Sequence, residues 1–161
     1  MKGNIVKKSK PAEFELIASG ETTEEVNSIV ITTDNDGNPF ELCDVVNIYA
    51  YCPIATNSAN SALTYDFNNA LVQQSPGTGV NTTSEQYHRL LGIYTGRKWD
   101  TYCYAVNHPS VNANIFSRDR HTSKDNPVIT NIKLHLFNSP YVLPVGFKYE
   151  IYGRRVKHAN S

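Results

Sequence analysis

The chain has 161 residues with 15 basic and 15 acidic side chains, so its formal net charge at pH 7 is zero. A chain of this length fits one domain and buries a core that folds without metal ions or disulfide bonds. Because a neutral protein lacks the long-range field that attracts basic proteins to nucleic acids and anionic membranes, both classes of partner are disfavoured.

The beginning of the chain predicts an arm followed by short strands. Residues 1–10 contain four lysines and few apolar side chains, which predicts a flexible basic arm that either stays frayed or gains order against a partner. Short β-type runs follow at 14–18 and 26–32. The strongest turn signal in the chain is the sequence DNDGN at 34–38, so these segments predict the start of a meander.

The middle of the chain predicts one long strand and one long loop. Residues 41–52 alternate, with Tyr49 and Tyr51 on one face and apolar side chains on the other, as in a central strand with one buried face. Residues 53–79 are rich in Asn, Ser, Thr, Ala and Gly and predict a long surface excursion, interrupted by a candidate strand at 62–67. This excursion is a candidate contact loop.

A hairpin is predicted next. Residues 87–95 and 98–106 flank a Gly-Arg dipeptide at 96–97, which is a compact turn signal between two alternating runs. In the second run Trp99 falls on the face opposite to Tyr102 and Tyr104, and we expect it to anchor the core.

The C-terminal part predicts a second loop and a closing hairpin. Residues 107–126 are polar and predict a loop. Residues 128–137 and 147–154 each alternate between two faces, and an Asn/Ser/Pro-rich connection joins them, which is typical of strands with one buried face. We therefore expect the two final strands to pair with each other.

Together these elements predict an all-β chain of about eight antiparallel strands with long loops and no convincing amphipathic helix. Short strands separated by turns favour an antiparallel, jelly-roll-like β-sandwich over an α/β fold. The predicted organisation is a single β-sandwich domain at 11–157, between a flexible basic N-terminal arm at 1–10 and a tail at 158–161.

The last predicted strand carries a resemblance to a known group of proteins. Residues 143–155 have the sequence LPVGFKYEIYGRR, which resembles the final strand of small β-sandwich structural proteins of tailed bacteriophages, either head decoration or tail-associated proteins. The resemblance implies a virion component without catalytic residues, so no active site is carried over to this chain. It also implies other virion proteins as partners and a homo-oligomer as a candidate state.

The turn at 34–38 and the histidines are the two candidates for metal sites. With Gly37 at the sharp-turn position of a calcium loop, the first and last ligand positions hold Thr32 and Cys43, so a plain hairpin turn explains 34–38 better. The histidines lack ligand spacing, and we expect each to be satisfied in a strand or solvated. They are His88, His108, His121, His135 and His158. No metal and no cofactor is predicted.

Patterns of catalytic residues are equally sparse. Cys43, Cys52 and Cys103 lack CxxC spacing and are typical of buried thiols in a reducing cytoplasm. Cys103 and His108 form a conceivable nucleophile pair, but no signature of a cysteine enzyme surrounds them. The chain has neither a Gly-x-Ser-x-Gly elbow nor a phosphate-binding loop. The sequence therefore predicts a protein that is not an enzyme.

Aromatic residues provide the candidate binding site. Several tyrosines occur in strands at spacings that can form an exposed aromatic face, and such faces stack on sugars or form protein interfaces. Ordinary core packing with hydroxyls at the rim is the alternative. The candidate binding residues are Tyr49, Tyr51, Trp99, Tyr102 and Tyr104.

The predicted function is that of a non-enzymatic phage virion structural protein, a capsid decoration or tail-attached protein, which binds neighbouring capsid or tail subunits through its loops and N-terminal arm. The alternative is a carbohydrate- or receptor-binding module at the virion surface, with a host glycan as its ligand. A small cysteine- or metal-dependent enzyme is a third hypothesis. Because no apolar run is long enough to span a bilayer and no hydrophobic stretch follows the basic start, we expect synthesis in the cytoplasm. The resemblance implies that this is the cytoplasm of a bacterial host and that the protein assembles into the virion.

Overall fold

The computed structural model describes residues 14–56, 61–75, 83–108, 115–122, 127–137 and 140–158. Over these ranges the regular secondary structure consists of strands, which confirms the all-β prediction. The ten strands are β1 (Phe14–Glu21), β2 (Ser28–Ile31), β3 (Leu42–Cys52), β4 (Leu63–Phe67), β5 (Ala70–Gln74), β6 (Glu85–Tyr94), β7 (Trp99–His108), β8 (Ile115–Thr122), β9 (Ile132–Leu136) and β10 (Lys148–Arg155).

The strands form two antiparallel sheets, one with the order β1-β10-β3-β6-β7-β8 and one with the order β2-β9-β4-β5. The pairs β1·β10, β2·β9, β3·β6 and β4·β5 form one long ribbon, rolled so that successive pairs fall in alternate sheets. This is the jelly-roll arrangement, and β7 and β8 extend the larger sheet beyond β6. The predicted jelly-roll β-sandwich is therefore confirmed.

Apolar side chains from both sheets meet in one core. The inner face of β3 contributes Val46, Ile48 and Ala50, and the smaller sheet contributes Leu63 and Leu134. These positions alternate with outward-facing residues along each strand, because successive side chains of a strand point to opposite faces. Removal of this apolar surface from water is the main source of stability.

Trp99 lies in this core, as predicted. Its side chain is 2% exposed, and its ring centroid lies 5.8 Å from that of Phe67 and 5.6 Å from that of Tyr94. Phe67 belongs to the smaller sheet and Tyr94 to the larger one. Trp99 therefore joins the two layers.

The predicted closing hairpin is wrong. β9 pairs with β2 and β4 in the smaller sheet, whereas β10 pairs with β1 and β3 in the larger sheet. Between them the chain crosses from one layer to the other, and on the way Leu143 is buried and forms a β-bridge with Val26. Both strands bury alternate residues, so their periodicity is the same whichever strand each one pairs with.

The two predicted long loops are also partly wrong. Residues 53–79 contain β5 as well as β4, and Asn68 and Asn69 connect the two with φ angles of 49° and 63°. Residues 107–126 contain β8, which pairs with β7. The rest of these predicted loops falls partly at 57–60, 76–79, 109–114 and 123–126, outside the described residues, as does the predicted arm at 1–10.

Candidate functional site

The outer face of the larger sheet carries a band of tyrosine side chains, which we call the tyrosine face. Alternate residues of β3, β6, β7 and β10 fill the core, so the residues between them point away from it. The members of the tyrosine face are Tyr49, Tyr51, Tyr87, Tyr102, Tyr104 and Tyr152. The sandwich thus presents aromatic rings from four neighbouring strands on one surface.

Four of the five candidate binding residues lie on this face, and the fifth does not. Tyr49 and Tyr51 come from β3, and Tyr102 and Tyr104 from β7. Trp99 points to the opposite side of the sheet, into the core. The structure therefore brings the tyrosines together and separates the tryptophan from them.

Strand register aligns these side chains in two rows across the sheet. In one row Tyr49 stands between Glu150 and Arg89, and Tyr104 is paired with Arg89 on the other side. Because adjacent strands lie about 4.8 Å apart, this row of four residues spans about 14 Å. In the neighbouring row Tyr51 stands between Lys148 and Tyr87.

Contacts between aromatic rings fix the tyrosine face at two points. The ring of Tyr152 meets that of Tyr49 edge-on, with centroids 5.8 Å apart, and Phe14 stacks against Tyr152 at 6.1 Å. The rings of Tyr51 and Tyr87 lie 5.1 Å apart. Pairs at these distances are favourable beyond the area they bury, so the rings form an ordered surface.

Arg89 lies in the middle of the tyrosine face. Its guanidinium carbon is 5.5 Å from the centroid of the Tyr49 ring, within the range of a cation–π contact. Its Nε donates a hydrogen bond to Oδ1 of Asn47 at 3.0 Å. Among the described residues these are its polar and ring contacts, and neither partner carries a negative charge.

A groove of about 520 Å³ runs over this surface. Aromatic walls from Tyr49, Tyr51, Tyr87 and Tyr104 alternate with the charged groups of Arg89, Lys148 and Glu150. A second depression of about 430 Å³ adjoins it and shares Tyr49 and Glu150 with it. The combined surface offers flat apolar rings next to hydrogen-bonding groups.

Two tyrosine hydroxyls of this face are held in their protonated form. Burial, together with a hydrogen bond to Glu85, raises the pKa of Tyr51. The hydroxyl of Tyr152 donates to Oε2 of Glu150 at 3.0 Å, which raises the pKa of Tyr152. Both phenols are therefore neutral hydrogen-bonding groups at physiological pH.

Sequence reasoning missed Tyr87 and Arg89 as site residues. Both follow the alternation of β6, in which Gln86, His88 and Leu90 are buried. The alternation along β6 is enough to predict that both side chains point outward. Their position beside Tyr51 and Tyr49 cannot be predicted in this way, because the register between β3 and β6 depends on tertiary pairing.

The turn at 34–38 has a full set of protein contacts. Oδ1 of Asp34 accepts hydrogen bonds from the backbone N–H groups of Asp36 at 3.0 Å and Asn38 at 2.9 Å. Its Oδ2 accepts from Nη2 of Arg155 at 2.8 Å. Gly37 has a φ of +83°, the left-handed conformation that glycine adopts without steric cost. These contacts agree with a plain turn.

Histidines with described side chains have ordinary protein environments. Nε2 of His135 lies 3.1 Å from Oδ2 of Asp66, and Nε2 of His158 lies 2.8 Å from Oε2 of Glu41. His88 is buried in β6, whereas the side chains of His108 and His121 fall outside the described set. Within that set, no group of three or more His, Cys, Asp or Glu side chains is arranged to hold a metal ion.

The cysteine environments disfavour thiolates. Cys52 and Cys103 are buried in the core, and burial raises the pKa of the Cys52 thiol. The pKa of Cys43 is raised by burial and by the neighbouring Asp44. Since the thiolate is the nucleophilic form of cysteine, these positions are poor candidates for cysteine chemistry.

Comparison with known proteins found no matching family model, curated protein or solved structure. Across the part of the chain that the structure describes, no helix has the length and apolar character needed to cross a membrane. The fold and the tyrosine face are therefore the features that bear on function.

Proposed function

We propose that the protein is a non-enzymatic structural protein of a tailed-phage virion, attached to the capsid or to the tail, where it binds neighbouring virion subunits. The observation that carries this proposal is the jelly-roll ribbon that ends in β10, the strand whose sequence resembles phage structural proteins. Jelly rolls occur in viral capsid domains and in lectins. The link from fold to function is an analogy, supported by the sequence of β10.

The residues that carry the resemblance have structural roles in this fold. Gly146 has a φ of +80° and forms the turn before β10, where the N–H of Phe147 donates to the carbonyl of Pro144. Phe147 and Ile151 are buried. Arg155 contacts acidic side chains of two other segments. The motif therefore encodes the placement of β10 within the sheet, which supports a shared fold as the origin of the resemblance.

Co-purification with phage particles tests this function. Particles from a lysate of the host bacterium would be purified on a density gradient and probed with antibodies against this protein by immunogold microscopy. We expect a fixed number of copies per particle at one site on the capsid or tail. Recovery of all the protein in the particle-free fraction would contradict the proposal.

Variants lacking residues 1–10 test how attachment occurs. If the basic arm attaches the protein to an acidic surface of a neighbouring subunit, the truncated protein will be lost from particles while its fold is retained. Unchanged incorporation would assign attachment to the sandwich itself, and with it to the connections at the ends of its strands.

A second candidate function is recognition of a carbohydrate or a receptor at the virion surface. The tyrosine face favours it, because exposed Tyr87 and Tyr104 flank a groove that also contains charged side chains. Binding of the isolated protein to an array of bacterial surface polysaccharides tests this function. The absence of any binding across the array would remove it. Tryptophan fluorescence is a poor reporter here, because Trp99 faces away from the groove.

A further inference from the structure

We propose that the tyrosine face binds a sugar that carries a carboxylate, and that Arg89 is the group that binds this carboxylate. This inference rests on the second candidate function, glycan recognition, and names its ligand class. Its starting point is the row formed by Tyr49, Arg89 and Tyr104, which places a cation between two aromatic rings at the centre of the groove.

The charge of Arg89 is not neutralised by the described residues around it. Its Nε donates to a neutral amide oxygen, and its guanidinium lies over the ring of Tyr49. Its other guanidinium N–H groups have no partner among the described residues and can bind a ligand. A planar guanidinium fork matches a carboxylate in bidentate geometry, so a carboxylate is the complementary group at this point.

Two described acidic side chains on the outer face of the sheet, Glu150 and Glu85, are engaged with tyrosine hydroxyls. Glu150 is two strands away from Arg89 and accepts a hydrogen bond from Tyr152 at 3.0 Å. Glu85 is four residues along β6, about 13 Å from Arg89 at the rise of an extended strand, and lies 3.5 Å from the hydroxyl of Tyr87. Neither of these carboxylates pairs with Arg89.

Lys148, the other lysine or arginine among the described residues that line the groove, has a partner of its own. Nζ of Lys148 lies 3.6 Å from Oε2 of Glu21, and both side chains are more than half exposed. A pair as exposed as this one is weak, so Lys148 can also reach a ligand. The centre of positive charge in the groove is nevertheless Arg89.

The aromatic surface around Arg89 suits the body of a sugar. Tyr87 and Tyr104 are 47% and 42% exposed, and their rings present flat apolar surface next to Arg89. A pyranose has one face of C–H groups and a rim of hydroxyls. Its apolar face can stack on the rings while its hydroxyls reach Lys148, Glu150 and the tyrosine hydroxyls that line the groove.

This chemistry distinguishes an acidic sugar from single-stranded nucleic acid, which also stacks on aromatic rings. Nucleic-acid grooves follow the backbone with a continuous positive surface. Here the acidic Glu150 lines the groove together with Arg89 and Lys148, so the positive surface is not continuous, and the chain has no net charge. One isolated carboxylate fits, and a polyanion does not.

Calorimetric titration with matched oligosaccharides tests the inference. The probes are a galactose oligomer in which one residue is replaced by galacturonate, so that it carries a single carboxylate, and the neutral galactose oligomer of the same length, each titrated into the full-length protein. We expect the acidic oligomer to bind at least about tenfold more tightly, a difference of about 1.4 kcal/mol, and raised salt to reduce the preference because the pair is partly exposed.

Variants assign the preference to a residue. Arg89→Gln should remove the preference for the acidic oligomer, whereas Arg97→Gln in the β6–β7 turn, an exposed arginine away from the groove, should leave it unchanged. Tyr104→Ala should weaken the binding of both oligomers. Circular dichroism and melting curves would verify that each variant is folded.

Each result has one meaning. Equal binding of acidic and neutral oligomers, or a preference that survives Arg89→Gln, would overturn the inference and leave glycan recognition standing. No binding of either oligomer by the folded wild-type protein would overturn the inference for this acidic sugar. If the polysaccharide array is also blank, glycan recognition fails with it, and attachment to particles is measured separately.

Discussion

Nη2 of Arg155 donates a hydrogen bond to Oδ2 of Asp34 at 2.8 Å, across 121 residues of sequence. The same guanidinium contacts Glu15 of β1, so one side chain joins β10, β1 and the turn at 34–38. This turn also lies against β1, where the N–H of Asn35 donates to the carbonyl of Ile17. Because β1 is an edge of the larger sheet, the turn covers backbone groups that would otherwise be open to other strands.

Asp34 should make stability depend on pH in the acid range. Hydrogen bonds from the N–H of Asn38, and also from Arg155, hold its pKa below the usual 3.8. A carboxyl with a lower pKa in the folded state stabilises the protein above its unfolded pKa, and this contribution is lost as pH falls through the folded value. Asp34→Asn should therefore lower the free energy of unfolding at neutral pH and flatten its decline below about pH 4.

Urea denaturation across this pH range measures the effect, and Asp36→Asn is the matched control. Asp36 is in the same turn, and its carboxylate forms no hydrogen bond or ion pair with the described residues. We expect the control to follow the wild-type curve. Parallel curves for wild-type protein and Asp34→Asn would show that titration of the Asp34 carboxyl contributes nothing to acid sensitivity.

Which side of each strand faces the core was predictable from the sequence. The alternation in β3 correctly separated Ile48 and Ala50 from Tyr49 and Tyr51, because a strand with one buried face needs apolar residues at every second position. Pairing partners were not predictable in this way. Buried and outward-facing residues alternate along β9 and β10 as they would in a hairpin, yet the two strands belong to different sheets.

β5 was missed because its hydrophobic pattern is broken: Leu71 is exposed, whereas the polar Gln73 is buried. Gln73 is fully buried, and its amide donates to the carbonyl of Thr101 in the other sheet. A pattern of apolar residues cannot identify a buried position that a polar side chain occupies. The turn before β5 did leave a signal, because Asn68 and Asn69 both adopt left-handed φ angles, which asparagine tolerates better than most residues.

The polar link between the sheets should contribute to stability. The hydroxyl of Thr101 donates to the carbonyl of Val72 at 3.3 Å, and Nε2 of Gln73 lies 3.4 Å from the same hydroxyl. Thr101→Val keeps the shape of the side chain and leaves these buried groups with one partner fewer. We expect a loss of about 1–3 kcal/mol in the free energy of unfolding.

A double-mutant cycle with Gln73→Met would separate this link from changes in packing. If the two polar groups act together, the second substitution should cost less in the presence of the first. Thr95→Val, at an exposed turn hydroxyl that bonds to Lys98, provides the control and should change stability little. Strict additivity of Thr101→Val and Gln73→Met would refute the coupling.

Substitution of Gly153 by a larger residue should destabilise the protein. A Cβ at this position would lie 3.0 Å and 3.2 Å from the two δ-carbons of Leu42, a side chain buried in the core. Since crowding a packed core forces side chains off their preferred rotamers, Gly153→Ala should cost about 1–3 kcal/mol. Thermal melts measure the loss. Adding Leu42→Val to Gly153→Ala should recover part of this loss of stability. If the double variant loses as much stability as the two single variants together, the clash is not the cause.

Trp99 should report on the core and be silent to ligands of the tyrosine face. It is the single tryptophan of the chain, it is 2% exposed, and it packs between Phe67 and Tyr94. We expect blue-shifted emission, weak quenching by acrylamide, and a red shift in urea that coincides with unfolding measured by circular dichroism. Saturating sugar should leave the emission maximum unchanged in the folded protein. Strong quenching by acrylamide without denaturant would place the indole at the surface and contradict the packing of β7 against the smaller sheet.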